Sequence, residues 1–327
     1  MGVRAMGKWR FKGALLGAAA ALLLASPAMA LEKLVGGIAG QVSPTTWPYY
    51  VAMNKGMLAN HGMEFDIVYG QSASNILQQL VGGSVDLVVS TSINEPIHAA
   101  AKGAPVGILR IVGRVAPYAV DAAKDVHSLK ELKGKTVAIG GLTDITRVYF
   151  ERMLEPNGIH WGEYDTITVG STTGRLAALR SGAVAATMLL PPYSFQAEAA
   201  GFNNIGLVVD YAPDLPFTAT VLSISWAQKH ADLVRGINES FDEGLKWLDD
   251  PANKEEAIGM LVKSGLPDAE VRQSYDFMHK IDFWMHDDKV SRKALQNLID
   301  SMAKIGDTED KIDIGKLVIP NVTHVVD

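Results

Sequence analysis

Apolar runs of four to eight residues alternate along the chain with longer stretches whose apolar residues recur at helical spacing. Strands buried on both faces read as such runs, so the alternation predicts an α/β fold with largely parallel sheets. "LVGGIAG" reads as a strand, and "PYYVAMNKGMLANHG" as a helix closed by Gly62. "MEFDIVYG", "SVDLVVS" and "PVGILRIVGRV" are strands, separated by the helices "SASNILQQLVGG", capped by Ser72 or Ser74, and "SINEPIHAAAKG", ending at Gly103. The alternation then restarts. "GKTVAIGG", "YDTITVG", "AVAATMLL" and "IGLVVD" read as strands, with the helices "TDITRVYFERMLEPNG", "TTGRLAALRSG" and "PPYSFQAEAAG" between them. "QQLVGGSVDLVVS" and "AALRSGAVAATMLL" echo each other as helix end, glycine turn and apolar strand, which suggests two units of like topology; common α/β supersecondary structure also produces such an echo. After "PFTATVLSIS" the chain turns helical from Trp226 to about Lys304, and Ile224, Leu233, Ile237, Phe241, Leu245 and Leu248 fall near one face. Asp287 and Asp288 are candidate caps of the last helix, and the tail after it has no clear pattern.

Composition changes this picture at the N-terminus. Arg4, Lys8, Arg10 and Lys12 precede the apolar run "GALLGAAAALLLAS", and small residues at Ala28 and Ala30 follow. This is the pattern of a secretory signal peptide at residues 1–30, cleaved after Ala30. It holds four of the 30 basic residues and none of the 36 acidic ones, so the remainder carries 26 basic and 36 acidic groups, net −10. That balance argues against a nucleic-acid partner. There is no cysteine, which excludes disulfides, a thiol nucleophile, a thiolate metal site and lipid anchoring through a cysteine. A soluble protein exported without an anchor points to the periplasm, and about 297 residues usually divide into two domains.

Ligands on open α/β sheets bind beyond the carboxyl ends of the strands, where helix N-termini offer unpaired N–H groups. Four strand-to-helix junctions qualify: Ser43–Tyr49, Ser90–Asn94, Gly140–Thr146 and Leu190–Tyr193. The candidate ligand-binding residues are Ser43, Thr45, Trp47, Tyr49, Thr91, Ser92, Asn94, Gly141, Thr143, Asp144, Thr146, Leu190 and Pro192. Trp47 and Tyr49 would form an apolar wall beside the hydroxyls of Thr45 and Thr46, or else staple the helix start to the core. Thr91, Ser92, Asn94, Thr143 and Asp144 also suit helix capping, and Pro191-Pro192 suits a helix start. Arg147 and Arg175 are candidate counter-ions for an anion, although surface arginines are commoner. Glu95 complements a helix dipole or, facing a cleft, favours a cationic or hydrogen-bonding ligand. His279, Asp282 and His286 would share a helix face, with a solvated face as the simpler use; no metal site is expected. There is no His-Glu-x-x-His, phosphate loop or nucleophile elbow, and "GGIAG" lacks the dinucleotide-binding spacing.

Over nearly its whole length after residue 30 the chain resembles the periplasmic substrate-binding proteins of ABC importers for nitrate, taurine, alkanesulfonates and thiamine precursors. The resemblance rests on "TTWPYYVAMNKGMLANHGMEFDIV", "LVGGSVDLVVSTSINEPIHAAAKG", "SLKELKGKTVAIGGLTDITRVYFERMLEPNGI" and "LRSGAVAATMLLPPYSFQAEAAG", in that order. Ala185 and Pro191 depart from it, standing where that family often has acidic residues. The resemblance implies the two-lobed periplasmic binding protein fold, with one lobe from residues 31–115 plus 223–327 and the other from 116–222. It also implies a small-molecule solute held between lobes that close by hinge bending, delivery to an inner-membrane ABC permease, a monomeric state, no cofactor and no enzymatic activity. The alternatives are a periplasmic sensing subunit for a membrane receptor, and an enzyme on the same fold, as in tetrapyrrole, menaquinone and pyrimidine synthesis.

Overall fold

The computed structural model describes residues 1–2, 30–308 and 312–327. The expected signal peptide falls almost wholly outside the described residues. No helix among them is long and apolar enough to cross a membrane.

The first half runs β1 (Glu32–Ala39), α1 (Trp47–Asn54), α2 (Met57–Asn60), β2 (Met63–Gly70), α3 (Ala73–Val81), β3 (Leu87–Ser92), α4 (Asn94–Ala101) and β4 (Val106–Gly113). The chain then enters a second sheet through β5 (Ala119–Ala122), β6 (Thr136–Ile139), α5 (Ile145–Leu154), β7 (Asp165–Thr168), α6 (Thr172–Arg180), β8 (Ala186–Leu189), α7 (Tyr193–Ala199) and β9 (Asn203–Leu207). It returns through β10 (Thr218–Ser223) and continues with α8 (Ile224–Lys229), α9 (Ala231–Leu248), α10 (Lys254–Lys263), α11 (Asp268–Lys280), β11 (Lys289–Ser291), α12 (Arg292–Lys304) and β12 (His324–Val326).

The two large sheets have the same plan. Their orders are β2-β1-β3-β10-β4 and β7-β6-β8-β5-β9. In each, one strand arriving from the other half is inserted antiparallel between its neighbours: β10 between β3 and β4, and β5 between β8 and β9. The helix–turn–strand echo read in the sequence maps onto α3–β3 and α6–β8, which occupy equivalent places. The chain therefore crosses between the sheets twice, before Ala119 and before Thr218. The second crossing falls earlier than the expected boundary at residue 223, because β10 hydrogen-bonds within the first sheet.

Several elements differ from what the sequence pattern predicts, among them the helix expected over residues 48–62, which is split into α1 and α2. β9 starts at Asn203, and Val208–Asp210 is a 3-10 turn rather than a strand end. The last helix is capped by Ser291, whose side chain accepts from the Ala294 N–H, and not by Asp287 or Asp288. Helix α11 ends at Lys280, so Asp282 and His286 do not share a helix face with His279.

Buried side chains fix this frame. In the first half Arg110 of β4 is fully buried, with its guanidinium 2.7 Å from Asp242 and 4.0 Å from the Phe241 ring centre, tying the sheet to α9. Helices α1 and α9 pack so closely that a Cβ on Gly244 would lie 2.2 Å from the Pro48 carbonyl oxygen. In the second half Asp121, on the inserted strand β5, is buried, and neither carboxylate oxygen is hydrogen-bonded among the described residues. Burial, reinforced by the charge of Glu198, pushes its carboxyl up to about 8.

Candidate ligand-binding site

Six strand ends face one cavity of about 1010 Å³. The loops after β1, β2 and β3 line one side, and those after β6, β7 and β8 line the other. Four of these loops begin with a side chain that caps the following turn. Ser43 accepts from Thr45 N–H at 3.3 Å, Ser72 from Asn75 N–H at 3.1 Å, Asp144 from Thr146 N–H at 2.9 Å and Ser171 from Gly174 N–H at 3.1 Å. These caps pin the loops, so their remaining hydroxyls are held toward the cavity by short-range bonds.

Of the candidate residues, Ser43, Thr45, Thr91, Ser92, Gly141, Thr143, Asp144 and Leu190 line the cavity. The other five do not. Trp47 follows a 3-10 turn over Pro44–Thr46 that rotates the helix start inward; its indole N–H donates to the Ala257 carbonyl at 3.1 Å, and its ring meets Tyr275 and Trp284 edge-on. Tyr49 is also in the core, with its hydroxyl 2.7 Å from that of Thr220 and its ring 4.9 Å from Phe241. Asn94 lies behind the wall and donates to the Thr143 carbonyl at 3.1 Å. Thr146 braces the loop after β6, accepting from Gly140 N–H at 2.8 Å and donating to Asp144 at 2.6 Å. Pro191, one residue before Pro192, takes the wall position.

The aromatic wall comes from elsewhere. Tyr118, Phe217 and Tyr193 line the cavity, and Tyr118 and Phe217 meet edge-on with centres 5.4 Å apart. Tyr118 follows Pro117 at the end of the first crossing and Phe217 follows Pro216 at the end of the second. This repeated Pro–aromatic pair is the signal that finds them. Burial pushes the Tyr118 hydroxyl up to about 12, against the favourable charge of Arg175. Sequence reasoning from four junctions also leaves out the loops after β2 and β7. Their signal is the spacing Gly70-x-Ser72 and Gly170-Ser171-Thr172, a glycine closing a strand just before hydroxyl residues.

The charged candidates divide. Arg147 turns away from the cavity to Glu151 at 3.0 Å, to two carbonyls and to the face of Trp161. Arg175 lines the cavity, but its guanidinium already donates to Met188 and Val169 carbonyls and to the Thr172 hydroxyl. Glu95, His98 and Lys102 present one face of α4 to the cavity, and His98 pairs with Asp307 at 2.8 Å. Across the mouth, the Tyr193 hydroxyl donates to Gln41 at 3.3 Å. Far from it, His279 and His286 flank the Asp249 carboxylate at 3.5 and 3.6 Å. Among the described residues no group of three or more His, Asp or Glu is arranged to hold a metal ion.

Two sheets of matching topology, crossed twice by the chain, with loops at both sets of strand ends lining one cavity, define the periplasmic binding protein fold, within the α/β class. The chain belongs to the NMT1/THI5-like family, whose model matches residues 43–253. Solved structures agree in fold. The periplasmic aliphatic sulphonate binding protein SsuA from Escherichia coli superposes with a TM-score of 0.73, at 19% identity over 90% of this chain and 94% of that one. The alkanesulfonate-binding protein SsuA from Xanthomonas axonopodis pv. citri, bound to MOPS, gives 0.71 at 16% identity over 90% and 98%. The periplasmic nitrate-binding protein NrtA from Synechocystis PCC 6803 gives 0.65 at 18% identity over 75% and 70%. No curated protein matches the sequence significantly.

Proposed function

We propose that this chain is an extracytoplasmic solute-binding protein that captures a small molecule between its two halves and delivers it to an ABC-type importer. The observation that carries this reading is the convergence of six strand-to-helix loops, three from each sheet, on one cavity. The site residues proposed are Ser43, Thr45, Thr91, Ser92, Gly141, Thr143, Asp144 and Leu190, joined by Ser72, Ser171, Thr172, Tyr118 and Phe217. Among the described residues helix α4 has no side-chain cap, so its first N–H groups are placed to bind a solute; in α7 those of Tyr193 and Ser194 already donate to the Leu190 carbonyl. Micromolar affinity requires about −8 kcal/mol. Several hydrogen bonds at about 1 kcal/mol each, plus apolar area buried on the aromatic floor, reach that range.

Capture is by closure about the two crossings, because contacts made to both halves exist only when the halves meet. The relatives named above are periplasmic, and sulfonates and nitrate are what those proteins bind; they support a periplasmic place and a small solute here. A monomer is the proposed state.

The test is a thermal-shift screen of the purified chain against sulfonates, nitrate, amino-sulfonates and aminopyrimidines, with titration calorimetry on each hit. Native mass spectrometry of freshly isolated protein runs beside it. Saturable one-to-one binding to the cavity, lost in Thr91→Val/Ser171→Ala, supports the reading. No stabilising solute and no co-purified small molecule would remove it.

A further inference from the structure

Glu95 stands in the first turn of α4, where a carboxylate often answers the helix dipole. Here its side chain forms part of the cavity wall, and its one hydrogen-bond partner among the described residues is the Asn94 amide, at 3.3 Å. It caps no backbone N–H. Asp144, from the other half, lines the same cavity. The segments that carry them are joined by the residues just before them, since the Asn94 amide donates to the Thr143 carbonyl at 3.1 Å, while one Asp144 oxygen accepts from the Thr146 N–H and hydroxyl. Neither Glu95 nor Asp144 is ion-paired with a lysine, arginine or histidine among the described residues. Asp307, nearby, is already paired with His98.

A second observation comes from the strand beside this loop. Thr218 lines the cavity, is 6% exposed, and its hydroxyl has no hydrogen-bond partner among the described residues. Its backbone is in register with Ser92, three residues before Glu95, and its hydroxyl lies on the side of Gly113. A buried hydroxyl without a partner is costly unless something else binds it.

We propose that this corner receives a positively charged nitrogen of the solute, a protonated amine or amidinium, and that Glu95 is the residue that selects for it. The inference rests on the solute-binding reading and deepens it. Two carboxylates approaching from opposite halves repel, and a cation between them turns that repulsion into attraction from both sides. The solute's charge thus draws the halves together. A group that is only anionic would add a third negative charge and be rejected at this point. Burial holds the Glu95 carboxyl above its usual range, His98 lowers it, and Asp144 and Asp307 raise it further.

The test works on a solute of unknown identity. A small-molecule extract of bacterial cells is passed over a strong cation-exchange resin at about pH 3, below the carboxylate range, and both fractions are offered to the dialysed full chain in a melting assay. The stabilising solute is expected in the retained fraction, with apparent affinity at least tenfold weaker in Glu95→Gln and largely kept in Glu95→Asp. An unchanged ligand-free melting temperature shows that each variant folds. A stabilising solute in the flow-through overturns the cation assignment while leaving the binding reading intact. A retained solute that binds Glu95→Gln as tightly as the native chain overturns the role of Glu95. Stabilisation by neither fraction defeats the binding reading itself.

Discussion

The Asn94 side chain donates to the Thr143 carbonyl at 3.1 Å, and this bond runs between loops that belong to different sheets. Asn94 is fully buried while Thr143 is exposed, so the bond is part-buried, and removing it leaves the Thr143 carbonyl open to water. Asn94→Ala is expected to lower the unfolding free energy by about 0.5–1.5 kcal/mol. It should also weaken solute binding, because the seam that closes over the solute is loosened. Urea denaturation and calorimetry check both; unchanged values would mean the bond plays no part in holding the halves together.

Trp47 tests the division between frame and site. Its indole N–H bond to Ala257 and its edge-on packing on Tyr275 and Trp284 lie in the core. Trp47→Phe should cost about 1–3 kcal/mol, mostly from lost volume and the lost indole hydrogen bond, and leave solute affinity within about twofold. A large loss of affinity with stability intact would put the ring back in the site.

Asp121 makes stability depend on pH. Its carboxyl stays protonated in the fold up to about 8, whereas in the unfolded chain it ionises near pH 4. The unfolded state therefore binds fewer protons between these values. The stability supplied by the neutral carboxyl is complete below about pH 4 and is lost as pH rises from there through about 8, by up to about 1.4 kcal/mol per pH unit. Asp121→Asn should flatten this slope and raise the melting temperature at pH 8 relative to the native chain. Parallel pH profiles in the two proteins would contradict the assignment.

Gly244 allows α9 to lie against α1. A methyl group there would meet the Pro48 carbonyl oxygen at 2.2 Å, and that atom is backbone and cannot swing aside. Gly244→Ala is expected to destabilise by about 3 kcal/mol or to prevent folding, despite the better helix propensity of alanine. Thermal melts of the variant decide it, and a gain in stability would show that the helices can separate at little cost.

Much of this architecture is legible in the residue pattern because strands covered on both faces read as unbroken apolar runs, as in β3 and β4. The strand β5 is not legible in that way. It is four residues long, contains Asp121 and directly follows a crossing. β10 is plainly a strand, yet its apolar run carries no mark of which sheet it joins, so the second crossing is misplaced by sequence alone. The site shows the same division. Hydroxyl residues after β1, β3 and β6, and Leu190 after β8, are found because a strand must end before them. Trp47 and Tyr49 are misassigned because an aromatic at a helix start can face either way, and the 3-10 turn before it decides. Tyr118 and Phe217 belong to crossings rather than to strand-to-helix loops, so a search confined to those loops passes them by.

Serines and threonines recur on both sides of the cavity, and each hydroxyl can swing its proton to give or to take a bond without any heavy atom moving. On the proposed reading such a lining is indifferent to the detailed shape of the solute, which leaves discrimination to a few fixed charges. Because the frame is secured elsewhere, by Arg110, Trp47 and the α1–α9 contact, the vessel can be readdressed to new freight by exchanging those few charges while its walls stay as they are.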